Sequence, residues 1–242
     1  MATRIQTLHA ELLSEIVKKS GKPTKHTFQD NYLGNSHPRY PISNPILRIT
    51  VRTWFRANQL SPKEFIALLT SLIQAPSSTE KLTAGILLDY ASKDQLIFDP
   101  KIYDRWLNNL IGWVEVDTLC YGHFKIIQVL EQWSLWKKLL LKLNNSKNIN
   151  KRRASLVLLC KPLTRTDDKR VQVLALKLID QLKSEKEVLI TKAISWTLRS
   201  MVKLNRAPLT MYIMKNKQTL PAIAVRETLT KLKTGRKTKK PD

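Results

Sequence analysis

Three short stretches hold the side chains that could do chemistry. In GWVEVDTLCYG, residues 112–122, Asp117 follows Trp113 by four positions, so a helix would carry both on one face. In NINKRRAS, Lys151, Arg152 and Arg153 lead into a segment that turns apolar at once. In KAISWTLR, Trp196 sits between Lys192 and Arg199. A carboxylate stabilises a developing cation, a tryptophan face attracts a cation by about 0.5 to 2 kcal/mol, and a guanidinium grips a phosphate. Each group also has a plainer reading. Tryptophans at helical spacing fit inter-helix packing. Asp117 fits a helix N-cap or an early-turn acid facing the helix dipole, because GWVEV reads partly as loop. The two arginines fit a solvated face.

Helices must position these groups. Apolar residues recur at three- and four-residue spacing in EFIALLTSLI, IIQVLEQW, VQVLALKLIDQL and VLITKAISWTLRSMV, and no alternating strand pattern competes with them. Ser61-Pro62-Lys63-Glu64 is a capping box with proline at the first helical position, and Asp99-Pro100 repeats the cap-then-proline signal. The pattern predicts helices at about 5–19, 43–57, 61–75, 78–92, 99–111, 115–132, 134–143, 149–162, 168–183, 186–204, 207–216 and 219–233. Helices of this length on short polar links predict an all-α curved solenoid, an α-α superhelix of antiparallel helix pairs with a long concave surface. A single domain over 1–234 followed by a basic, mobile tail over 235–242 is expected.

Charge narrows the partner. The 242 residues carry 42 Lys and Arg against 19 Asp and Glu, a formal +23, which points to a polyanionic partner, nucleic acid or an anionic membrane. No window approaches the roughly 20 apolar residues of a bilayer span, and the N-terminus lacks a signal-peptide core, so a soluble, cytoplasmic protein with no membrane partner is expected. Cys120 and Cys160 lie in apolar helical settings and fit reduced thiols. Four histidines without HExxH or CxxC spacing argue against a metal, and six glycines without a phosphate-loop pattern argue against nucleotide-driven chemistry or a small-molecule cofactor.

Taken together, GWVEVDTL, NINKRRAS, KEVLITKAISWTLRSMVK and AVRETLTKL, preceded by YLGNSHPRYPISNPILR, resemble the AlkD family of HEAT-like-repeat DNA glycosylases, which remove alkylated purines. The likeness runs over about residues 30 to 235, with Trp-x-x-x-Asp and KAI-x-W-x-LR its most specific parts. It implies a solenoid of HEAT-like pairs. It implies a catalytic carboxylate at Asp117, an aromatic pair around the lesion at Trp113 and Trp196, and a catalytic-site arginine at Arg153. Gly112 and Val114 stand where the family motif often has tryptophan and aspartate, and Asn150 replaces a tryptophan near the arginine.

On that resemblance the protein is a monofunctional glycosylase for cationic N3- or N7-alkylpurines in duplex DNA, monomeric and free of cofactor. The damaged nucleotide would be held against the tryptophans rather than in a tight base-flipping pocket. Lys151, Arg152, Lys192, Arg199 and Lys203 are the expected phosphate contacts, each contributing about −0.9 to the slope of log affinity against log salt. The alternative is a non-catalytic helical-repeat protein that binds DNA or RNA, with Asp117 structural. A protein-scaffold solenoid would leave the charge unexplained.

Overall fold

The structure, a computed structural model, describes residues 2–23, 34, 36–122 and 129–238. Among these residues it is all-helical. The chain divides into two compact units, Met1–Phe124 and Lys125–Asp242.

In the first unit, α1 (Ala2–Lys18) buries Ile5, Leu8, Leu12 and Ile16, a spacing of three and four that keeps one stripe inside. It packs on α2 (Asn44–Ala57) and α3 (Pro62–Gln74), which bury Leu47, Val51 and Trp54 and Phe65, Leu68, Leu69, Leu72 and Ile73. The Ser61 capping box forms as expected: Ser61 Oγ accepts from the Glu64 amide at 3.3 Å, and Glu64 accepts from the Ser61 amide at 2.9 Å. A second box, Ser77 with Glu80, starts α4 (Ser78–Leu88). α5 (Ile102–Trp106) runs into a 3-10 turn, Leu107–Asn109, and α6 (Gly112–Cys120) packs on α4.

Helix α4 is the centre of this unit, buried on nearly every side although it carries Glu80, Lys81, Thr79 and Thr83. Buried polar groups must be satisfied, and these are. His9 bridges Ser71 and Glu80 at 2.7 and 2.8 Å, and the Lys81 ammonium donates to the carbonyls of Ile73 and Ala75. Burial by itself would raise the Glu80 carboxyl, but hydrogen bonds from His9 and Ser77 outweigh it and hold the group below its ordinary 4.5. Such a group stabilises the fold fully above 4.5, and the contribution is lost as pH falls through the lower folded value. Glu80→Gln should therefore flatten the dependence of unfolding stability on pH between about 5 and 3. Denaturant titrations of both proteins across that range would check it; parallel slopes would refute the assignment.

In the second unit, α7 (Trp133–Asn144), α9 (Lys169–Leu182) and α10 (Val188–Met201) pack on α8 (Ile149–Arg165). Helix α8 is buried without interruption from Arg153 to Leu163, the signature of a central helix. α11 (Arg206–Asn216) and α12 (Ala222–Thr234) follow, and α12 packs on α10. Gly235 ends α12 in the left-handed conformation at φ 74°, where glycine carries no Cβ penalty. Just beyond it Lys237 pairs with Glu227 at 3.3 Å, so the start of the basic tail is tied down. Cys120 and Cys160 are both buried, and neither is in a disulfide among the described residues.

Two expected elements differ. The helix expected over 115–132 starts earlier and stops at Cys120, because Tyr121 is extended at φ −112° and ψ 104°; residues 123–128 lie outside the described residues. The helix expected over 99–111 is one short α-helix and a 3-10 turn.

Candidate active site

Trp113 and Asp117 both lie on α6, one turn apart, and both line a cavity of about 680 Å³ in the first unit. That is ample for one nucleotide, within the usual range of about 300 to 1,000 Å³ for ligand sites. Each side chain is half-buried, so each reaches both protein and solvent. The N-cap of α6 is Ile111, which puts Asp117 in the second turn and rules out the N-cap reading. Capping belongs to Glu115, whose Oε2 accepts from the Ile111 amide at 2.8 Å. Gly112 opens the helix at φ 74°, a conformation an L side chain rarely adopts, which accounts for glycine where the resembled motif has tryptophan.

The rest of the lining was given no role from the sequence. It includes the irregular segment 39–43 with Arg39 and Tyr40, and Lys19 and Lys22 just beyond α1. Three basic side chains therefore share the cavity with one carboxylate. Arg39 and Tyr40 lie in a proline-rich stretch without helical or strand periodicity, so no pattern aims them. The signals the sequence offered were the positive charge and the likeness of YLGNSHPRYPISNPILR to the family's entry segment, neither of which places these side chains at the cavity.

The other expected site residues belong to the second unit. Arg153 is buried at 4 % exposure, and its guanidinium donates to the Leu189 carbonyl at 2.6 Å, tying the second turn of α8 to the first turn of α10. Trp196 is half-buried on α10. Arg152 grips Glu185 with two parallel bonds, Nε to Oε1 at 2.8 Å and a terminal nitrogen to Oε2 at 3.0 Å, and donates to the carbonyls of Ser146 and Lys147. Arg199 lies 3.3 Å from Glu227, which also accepts from Ser195 at 2.6 Å. A phosphate at Arg152 or Arg199 must compete with these carboxylates. Lys192 and Lys203 are exposed, and Lys151 is half-buried at the start of α8.

Among the described residues, no group of three or more His, Cys, Asp or Glu is placed to hold a metal ion, and no helix is long and apolar enough to cross a membrane.

Residues 13–232 match the family described as DNA alkylation repair enzyme, and the chain belongs to that family. The structure is similar to that of a predicted DNA alkylation repair enzyme from Enterococcus faecalis, with a TM-score of 0.67 at 17 % identity, covering 89 % of this chain and 99 % of the other. At that identity the likeness concerns the fold, the helical-repeat solenoid of the family. No curated protein matches the sequence.

Proposed function

We propose that the protein is a glycosylase that hydrolyses the N-glycosidic bond of cationic N3- or N7-alkylated purines in duplex DNA. The observation that carries this reading is the cavity lined together by Trp113, Asp117 and three basic side chains, in a chain of the DNA alkylation repair family. An alkylated purine already bears a positive charge, so its bond to C1′ breaks with the electron pair leaving on the base. The sugar left behind is oxocarbenium-like and also positive. The Asp117 carboxylate stabilises that charge and positions the water that adds to C1′, as carboxylates do in glycoside hydrolysis. The products are the free base and an abasic site.

Trp113 offers its face to the cationic nucleotide, for about 0.5 to 2 kcal/mol. Trp196 and Arg153 join this reading through the family resemblance, as the second aromatic and the catalytic-site arginine. The buried bond from Arg153 to Leu189 supports a part for that arginine in holding α10, which carries Trp196. Most of the selectivity comes from the leaving group, because a cationic purine departs far more readily than a neutral one.

Lys151, Lys192 and Lys203 are the phosphate contacts in this reading, with Arg152 and Arg199 contributing where a phosphate outcompetes Glu185 or Glu227. Lys192→Ala and Lys203→Ala should each lower the slope of log affinity against log salt by about 0.9 and weaken damaged and undamaged duplex alike. Titrations over a range of salt would show it, and unchanged slopes would remove those lysines from the interface. The reaction itself is tested by release of free base from methylated duplex DNA under single-turnover conditions. Release of methylpurine is the expected result. Tight, salt-sensitive binding without release would leave a non-catalytic DNA-binding protein.

A further inference from the structure

An irregular strap, residues 36–43, lines part of the Asp117 cavity through residues 39–43 and is held in place by bonds to three separate elements. The Pro38 carbonyl accepts from the Ser78 amide at 2.8 Å, and the Tyr40 amide donates to Thr79 Oγ1 at 3.0 Å, both at the start of α4. The Pro41 carbonyl accepts from the Gly21 amide at 2.9 Å, just after α1. The fourth tie joins two side chains. His37 Nδ1 donates to both oxygens of Glu115, at 2.9 and 3.2 Å.

Glu115 is fully buried, lies two residues before Asp117 on α6, and also caps the helix through Ile111. The same carboxylate thus bonds both the start of the helix that carries Asp117 and the strap that shares its cavity. A buried carboxylate costs several kcal/mol unless it is well satisfied, so a pair of this kind fixes relative position more than it adds net stability.

We propose that the strap is a substrate-facing wall and that the His37–Glu115 pair is its latch. Arg39 then meets a phosphate, and Tyr40 the sugar or base, of the nucleotide beside Asp117. The inference rests on the reading of Asp117 as the reacting carboxylate. His37 is a positioning residue: it acts through Glu115 and through the placing of Arg39 and Tyr40, and needs no contact with DNA.

The test uses the full chain with His37→Ala, His37→Gln and Arg39→Ala. The glutamine amide can still donate to Glu115, so it is the conservative variant. Hydrogen exchange at the Tyr40 and Ser78 amides reads the latch, and affinity for a duplex bearing a tetrahydrofuran abasic analogue reads the strap's contact with substrate. His37→Ala should speed exchange at both amides about tenfold or more and weaken tetrahydrofuran-duplex binding about tenfold, with His37→Gln restoring most of both. Arg39→Ala should weaken binding to a similar extent while exchange stays as in wild type.

In methylpurine release, the half-saturating enzyme concentration should rise about tenfold in His37→Ala while the limiting rate changes less than about threefold. Faster exchange with unchanged affinity would make the strap structural only and overturn the proposal. Unchanged exchange would overturn the latch. If His37→Ala fails to fold, the glutamine and Arg39 variants decide the matter by the same readings. If the wild type releases no base while the affinity pattern holds, the wall stands and the glycosylase reading falls.

Discussion

Asp117→Asn is expected to slow methylpurine release by roughly 10²- to 10³-fold under single-turnover conditions. The substitution keeps size, removes the negative charge and replaces one acceptor oxygen by a donating amide, so it tests chiefly the electrostatic part of the mechanism. DNA affinity should stay the same or rise, because a carboxylate beside phosphates repels them. The start of α6 should be unaffected, since Asp117 lies in the second turn and the capping is done by Glu115. A variant that loses its fold would return Asp117 to a structural role. A variant as active as wild type would move the reacting carboxylate elsewhere.

Gly85→Ala should act on the same site through packing. A Cβ at Gly85, on α4, would lie 2.6 Å from the Thr118 carbonyl oxygen, 2.7 Å from its carbonyl carbon and 2.9 Å from its Cγ2. Those are mostly backbone atoms of α6, one residue past Asp117, and they have no rotamer with which to yield. In an ordinary helix interior, alanine for glycine would gain about 0.8 to 1 kcal/mol of propensity. Here the helices must part, and overpacking of this kind costs about 1 to 3 kcal/mol or more, so net destabilisation is expected. The shift also displaces Asp117, and a misplacement of about 1 Å can cost 10²-fold in rate. Thermal unfolding and single-turnover release on the same preparation would show both losses. A more stable and fully active Gly85→Ala protein would mean that α4 and α6 do not sit this close.

Much of the molecule follows from local pattern. Apolar spacing of three and four marked most helices, since a stripe of side chains on a regular helix is a property of neighbours in sequence. The Ser61 capping box formed because its partners are three residues apart. The placing of Trp113 and Asp117 on one face needed only the helical repeat, and the charge of +23 pointed to a polyanion without any fold at all.

What escaped depended on residues distant in the chain. Nothing local shows that His37 meets Glu115 across 78 residues, that Arg152 meets Glu185 across 33, or that Arg199 faces Glu227. Those arginines read as phosphate contacts because the carboxylates that engage them arrive only when helices pack. The end of α6 was hidden because apolar spacing continues past Cys120, and a period cannot show a single extended residue such as Tyr121. Asp117 and Glu115, two carboxylates on one helix, were divided by the tertiary structure. Packing buried Glu115 and gave it the cap and the strap, and left Asp117 on the wall of a cavity. The sequence determined that a carboxylate and a tryptophan would share a helix face in a basic, all-helical protein; only the meeting of distant segments decided which side chains share a cavity with them.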